Sequence, residues 1–536
     1  MGKCKKNIIL ISCFAALFLS AISWGMWVIG YPEKLENMAT DPRCSSHVEF
    51  IVSGGRIFRL GKSEGIVAAD LEYMTAYKYY LKGIFTEFQH TEFGTSRDQA
   101  LMHEFIPIDD VLITKILPPE FDFLPPPYHN FTMGFLSLGD IDNDEKDDFI
   151  VSSTDVRCAS GRVDYLLLSS RLNFKLDRNY VEDGAGVLIT SNRWKSFDET
   201  PKQYFGQPVS SKDKSKFIFN RRVLETETIL STIASKNKLD LDQNASKELN
   251  HNNAFFYEDK VVDIIDGVLN LENSVVSFPP GGIYSVIDDI DGDDKPQIVV
   301  IYRDQFIVTG TSGNSIKVNF NTDEYNIPIL GSRGDFDQDG VEDFWLGFPD
   351  KQVGGKFVGE LNLINGATLA HKLSDGNKET TIDAVSTIKV VGTNRYKPGP
   401  NEGYDIPRNA GDIGIHKNGI GYDLSRNAGD IDGDGLPDLV TTSHYDLNKR
   451  GIIYVILSHD LMQLSVHKAD APYVIRIMGK ALSLAGIGLD SASDFDGDGM
   501  DDIVVGADVD HEAGFGAGAV YYLSGRKIVT QRHQTQ

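Results

Sequence analysis

Cysteine is scarce in this chain: four residues in 536, of which Cys4 and Cys13 fall in an apolar N-terminal stretch. The remaining Cys44 and Cys158 could form one disulfide in an oxidising compartment, and no cysteine spacing suits a metal site. Positive charge is short as well. Lys and Arg total 52 against 77 Asp and Glu, a net charge of -25, which disfavours binding to nucleic acid through phosphate neutralisation. Twelve histidines are scattered, and the nearest neighbours, His444, His459 and His467, have no metal-type spacing, so each is expected on a loop or the surface. The P-loop, His-Glu-x-x-His and any Cys/His cluster are all missing, which removes the usual nucleotide and zinc-peptidase signatures.

What is present begins at the N-terminus. "MGKCKK" supplies three lysines, and residues 7–30 then run without a charge. A secretory signal cleaved after Ser23 fits this pattern, and so does an uncleaved signal anchor long enough to span a bilayer. Either reading places the rest of the chain outside the cytoplasm, with the membrane met only through this segment. The body is 41% apolar and 10% aromatic, enough for a sizeable core.

Five acidic segments repeat along it: "DIDNDEKDDFIV" from Asp140, "DIDGDDKPQIVV" from Asp289, "DFDQDGVEDFWL" from Asp335, "DIDGDGLPDLVT" from Asp430 and "DFDGDGMDDIVV" from Asp494. Each has aspartate at positions 1, 3 and 5, Ile or Phe at position 2, and an apolar run after it. Alternating carboxylates can turn several oxygens towards one point, as Ca2+ requires. The candidate ligands are therefore Asp140, Asp142, Asp144 and Asp148; Asp289, Asp291 and Asp293; Asp335, Asp337, Asp339 and Asp343; Asp430, Asp432, Asp434 and Asp438; and Asp494, Asp496, Asp498 and Asp502. Gly340, Gly435 and Gly499 stand at position 6, where a sharp turn calls for positive φ. The Asp140 loop has Glu145 there. The Asp289 loop has Asp294 there and Gln297 in place of the closing aspartate. Position 12 is never acidic and the flanks are strand-like, which excludes an EF-hand.

With these loops go further features. "GIGLDSASDFDGDGMDDIVVGADVDHEAGFGAGAVYYLSG" joins a glycine-rich entry, an acidic loop and two apolar strands, and "GIGYDLSRNAGDIDGDGLPDLVTTS…GIIYVILS" follows the same plan. The pattern resembles the FG-GAP repeat of the integrin α-chain N-terminal β-propeller. The resemblance implies an all-β propeller of about seven blades, with calcium loops between two strands of a blade. The chain departs from integrin α in that its end, "RKIVTQRHQTQ", is polar and no Asp-x-Ser-x-Ser adhesion motif is in register. The expected organisation is a signal or anchor at 1–30 and an N-terminal segment at 31–130 that supplies the first blade or blades and carries a helical insertion. The propeller follows at 131–525, with an insertion at about 170–280, and a polar tail at 526–536. Within the insertion, 222–235 reads as a short helix and the residues after it as a polar loop.

The expected function is a calcium-bound propeller that presents loops to a protein or glycan partner, as an extracellular or envelope binding and adhesion module. Two alternatives stand beside it: a hydrolase or lyase using the propeller face or an inserted segment, and a structural component of envelope assembly.

Overall fold

A computed structural model describes the strands at 49–53, 56–61 and 65–68 and most of 102–535; the longer stretches outside the description are 1–48, 69–101, 119–130, 155–161, 191–209 and 394–428. The export segment, Cys44 and Cys158 therefore lie outside the described residues, as do 69–83 of the helical insertion expected at 67–83, whose first two residues, Val67 and Ala68, end the strand Gly65–Ala68. No helix among the described residues is long and apolar enough to cross a membrane.

The chain is mostly β and arranges its sheets as the blades of a propeller. Blade 1 is an antiparallel meander of Gly134–Gly139, Asp148–Thr154, Arg162–Leu167 and Gly186–Thr190. Blade 2 has Lys216–Phe219, Arg222–Glu225 and Ala245–Glu248. Blade 3 has Ile283–Ile287, Gln297–Ile301, Gln305–Thr309 and Ser315–Asn319, and blade 4 has Ile329–Gly334, Asp343–Phe348, Glu360–Ile364 and Ser386–Val391. Blade 5 shows Leu439–Ser443, Ile452–Ile456 and Ile475–Met478. Blade 6 joins Ala485–Ser493, Asp502–Ala507 and Ala519–Leu523 to Leu112–Leu117, so a strand from early in the chain completes the last blade and closes the ring.

Among the described residues, six blades stand against the seven or so that the resemblance implied. Residues 254–277, where a further blade would fall, form two separate hairpins, Ala254–Tyr257 with Lys260–Asp263 and Val268–Leu271 with Ser274–Ser277. Three other expectations need correction. The helix read at 222–235 begins only at Thr226, because Arg222–Glu225 is a strand, and it runs to Lys236. The supposed polar loop after it holds a strand at Lys238–Asp240, a helical turn at Leu241–Asn244 and the outer strand of blade 2. The supposed polar tail is a helix, Gly525–Thr535, whose Ile528 is fully buried against blades 5 and 6.

Strands such as Leu439–Ser443, Ile452–Ile456, Asp502–Ala507 and Ala519–Leu523 are buried at every position. That burial explains why Ile452–Ile456 and Ala519–Leu523 read as unbroken apolar runs rather than as alternating patterns, whereas Leu439–Ser443 buries Thr441, Thr442 and Ser443. Most apolar cores lie between two blades, and a further one packs Phe255 and Tyr257 of the 254–263 hairpin against Tyr284 and Val300 of blade 3. Leu136, Leu166 and Val187 of blade 1 meet Phe217, Phe219 and Leu224 of blade 2, and Val299, Phe306 and Val318 of blade 3 meet Phe344 and Leu346 of blade 4. Phe149 and Val151 of blade 1 meet Val504 and Tyr522 of blade 6 across the closure.

A second device ties the ring. Five outer strands accept a short parallel strand from the next blade, supplied between that blade's third and fourth strands or just ahead of its outer strand. Lys238–Asp240 lies on blade 1, Glu379–Thr381 on blade 3, Val466–Lys468 on blade 4, Ile106–Pro107 on blade 5 and Asn179–Tyr180 on blade 6. Each covers an otherwise unpaired edge.

Candidate metal centres

Four of the acidic loops connect the first strand of a blade to its second, and the Asp430 loop leads into Leu439–Ser443 in the same way, so the loops share one end of the propeller. Their backbone is common to all. The first aspartate accepts from the amides of positions 5 and 6: Asp430 from Asp434 at 2.9 Å and Gly435 at 2.7 Å, Asp335 from Asp339 at 3.0 Å and Gly340 at 2.9 Å, Asp494 from Asp498 at 3.0 Å and Gly499 at 2.7 Å. Asp140 and Asp289 do the same. The fifth-position carboxylate then accepts from the amide of position 7, as Asp434 does from Leu436 at 2.9 Å. Positive φ occurs at position 6, as expected for Gly340, Gly435 and Gly499, and Glu145 and Asp294 adopt it without being glycine. Position 4 has it too, in Asn143, Gly292, Gln338, Gly433 and Gly497, a feature the spacing of the aspartates does not announce.

The ninth-position aspartates Asp148, Asp343, Asp438 and Asp502 are fully buried. Each spans the blade. One oxygen accepts from the amide of position 2, from Ile141 at 3.0 Å, Phe336 at 3.2 Å, Ile431 at 2.8 Å and Phe495 at 2.7 Å. The other accepts from the amide two residues beyond the third strand, from Ser169 at 2.8 Å, Gly366 at 2.8 Å, Ser458 at 2.6 Å and Gly525 at 2.9 Å. One side chain therefore ties the start of the loop, the second strand and the exit of the third.

That exit also sends polar groups into the loop. Ser169 Oγ donates to Asp144 at 2.7 Å, and Ser170 Oγ donates to Asp142. Asn365 Nδ2 donates to Asp337 at 2.8 Å and Asp343 at 3.2 Å. Ser458 Oγ donates to Asp434 at 2.9 Å, and His459 Nδ1 lies 3.6 Å from Asp432. Arg526 Nε pairs with Asp498 at 2.8 Å. Sequence reasoning missed these residues. Their signal was a small polar residue directly after an apolar strand, as in "LLLSS", "NLING", "VILSH" and "YYLSG". His444 and His467, expected on a loop or the surface, are both buried: His444 stands in the turn after Leu439–Ser443, and His467 lies on the strand Val466–Lys468 and bonds Tyr473 and the carbonyls of Leu461 and Leu464.

Neighbouring loops are latched by an acid at position 8. Asp501 accepts from the Asp430 amide at 2.8 Å while its own amide donates to the Asp430 carbonyl at 2.9 Å. Glu342 accepts from the Asp288 amide at 2.7 Å, and the Asp147 amide donates to Ser493 Oγ at 3.1 Å.

Carboxylate oxygens of Asp140, Asp142 and Asp148 lie within 4.8 Å of one another, as do those of Asp289, Asp291 and Asp293, of Asp335, Asp337 and Asp339, and of Asp430, Asp432 and Asp438; Asp432, Asp434 and His459 form a further group. Asp142 Oδ1 is buried without a hydrogen-bond partner. Burial pushes the Asp148 and Asp438 carboxyls up to about 8 and those of Asp343 and Asp502 up to about 7. Burial and then the neighbouring carboxylates raise Asp337, Asp432 and Asp496 as well. Converging, partly dehydrated oxygen donors fit a hard divalent cation, which would supply the missing counter-charge.

A pH dependence follows for the metal-free protein. The ordinary carboxyl value is 3.8 and the folded values are raised, so protonation stabilises the fold as pH falls from about 8 towards 4. In chelator, the melting temperature should rise between about pH 8.5 and about pH 6. With divalent cation present the cation-induced increment should shrink over the same range, because protons compete for the same oxygens. A flat profile in chelator would show that the four buried carboxyls do not titrate there.

Residues 427–456 match the FG-GAP repeat family model, a span that covers the Asp430 loop with the strands Leu439–Ser443 and Ile452–Ile456. The propeller of sheets and the recurrence of this unit define the class: an FG-GAP β-propeller. The search of curated proteins gives no match for the chain.

Proposed function

We propose that the chain is an exported, calcium-stabilised propeller that displays its connecting loops to a protein or glycan partner in the cell envelope or outside the cell. The observation that carries the reading is the common clasp of Asp148, Asp343, Asp438 and Asp502, each buried, with Asp148 and Asp438 gathered beside two further aspartates of their loops. Oxygen-only carboxylate sets of this kind select Ca2+ over softer metals. The charge-free stretch at 7–30 behind three lysines supports export, by cleavage or as an anchor.

Antiparallel strands alternate their connections, so the ends of the second strands emerge opposite the acidic loops. On that side lie the small hairpin Gln352–Val353 with Lys356–Phe357, the 444–451 turn and the 508–518 connection. Such loops on a rigid support suit recognition. Their substitution should therefore weaken partner binding while leaving calcium-dependent melting intact. The test is capture from a membrane fraction, with calcium and with chelator. A partner retained only in calcium supports the reading, and a retained set unchanged by chelator counts against it.

A further inference from the structure

The Asp289 loop of blade 3 departs from the other four at its closing position, where Gln297 replaces aspartate. Gln297 is fully buried. Its Oε1 accepts from the Ile290 amide at 2.6 Å, the bond that Asp148, Asp343, Asp438 and Asp502 make in their own loops. Its Nε2 donates to Asp291 Oδ1 at 3.0 Å and to the Lys295 carbonyl at 2.9 Å. Those acceptors are the third-position carboxylate and the seventh-position carbonyl, two of the groups a cation in such a loop would draw on.

We infer that the Gln297 carboxamide takes the place of the cation in blade 3, so that this loop is closed without metal while the other four depend on it. The inference rests on the calcium reading of those four loops. Oxygens of Asp289, Asp291 and Asp293 come together as closely as those of the other loops, yet proximity alone leaves a cation with fewer ligands here. The closing carboxylate is gone, and the amide nitrogen holds both Asp291 and the position-7 carbonyl. An amide presents two N–H donors and one acceptor. All three are used here, with the correct polarity at each contact. Asn365 also reaches a loop carboxylate, in blade 4, but it enters from outside the loop and leaves the closing Asp343 in place.

Hydrogen exchange read by mass spectrometry on the whole protein, with calcium and with chelator, tests this segment by segment. Segment 288–297 should exchange at the same rate in both conditions. Segments 335–343 and 430–438 should exchange about tenfold faster or more in chelator. In Gln297→Asp, segment 288–297 should become calcium-sensitive and the protein should take up one further equivalent of calcium by equilibrium dialysis. Calcium-dependent protection of 288–297 in the native protein overturns the inference, and this arm needs no variant. A Gln297→Asp protein that folds and stays insensitive overturns the assignment to Gln297. If no loop responds to calcium, the calcium reading fails first and the inference falls with it.

Discussion

Alanine at Asp438 is expected to lower the unfolding free energy of the calcium-loaded protein by about 3 kcal/mol or more. Two effects add. The substitution leaves the amides of Ile431 and Ser458 without their acceptor in a fully buried position, at about 1–3 kcal/mol for each unsatisfied group. It also removes a ligand from the blade 5 loop, and a cation held at a hundred times its Kd stabilises the fold by about 2.7 kcal/mol. Asp438→Asn separates the two contributions. Asparagine keeps an oxygen for one of the amides but cannot supply the charge. It should therefore retain more of the metal-free stability than alanine while losing the same calcium increment. Denaturant unfolding of the three proteins, each with calcium and with chelator, gives both quantities. An equal calcium increment in native and Asp438→Asn proteins would exclude Asp438 as a ligand.

The second large effect is expected at Gly429, the residue before the blade 5 loop. A Cβ there would lie 1.4 Å from the Ser491 carbonyl oxygen and 3.3 Å from Asp501 Cβ. Ser491 belongs to the inner strand of blade 6, and Asp501 is the acid that latches blade 6 to Asp430. Backbone, rather than a movable side chain, blocks the space, so Gly429→Ala has to push two blades apart. The cost should reach the upper end of the range for overpacking, about 3 kcal/mol. Gly435→Ala provides the contrast. Gly435 has φ 86°, and a methyl group added there would meet nothing within 4 Å, so only the left-handed backbone opposes alanine, at about 1–2 kcal/mol. Calcium should still protect Gly435→Ala, and Gly429→Ala should melt early even in calcium. If the two variants melt alike, the contact between blades 5 and 6 is not as close as the Ser491 carbonyl makes it.

Much of this architecture is legible in the sequence, for a local reason. The loop geometry is set by residues within nine positions of one another: Asp430 caps the amides of Asp434 and Gly435, and Asp434 caps Leu436. Side chain and backbone partners so close in the chain leave a readable spacing. Fully buried strands likewise leave apolar runs such as "DIVVGA". Blade 2 is not legible, because it has no acidic loop and its Lys238–Asp240 strand and helical turn are polar enough to pass for a loop. The helix at Gly525–Thr535 escapes notice because one buried side chain, Ile528, together with the Arg532–Asp460 ion pair, anchors an otherwise polar segment.

By itself, then, the sequence determined the repeat, the all-β class and the nineteen aspartates that compose the acidic loops, because each depends on contacts within a short stretch of chain. Tertiary structure alone decided what those aspartates do. It separated the buried clasps at Asp148, Asp343, Asp438 and Asp502 from the exposed rims. It brought Ser169, Asn365, Ser458, His459 and Arg526 to the loops from beyond the third strand. It placed Leu112–Leu117 beside Ala519–Leu523 to close the ring, and set the amide of Gln297 between Asp291 and Lys295. These last contacts depend on how strands stack side by side and on the direction in which a buried side chain points, and neither leaves a period or a spacing in the sequence.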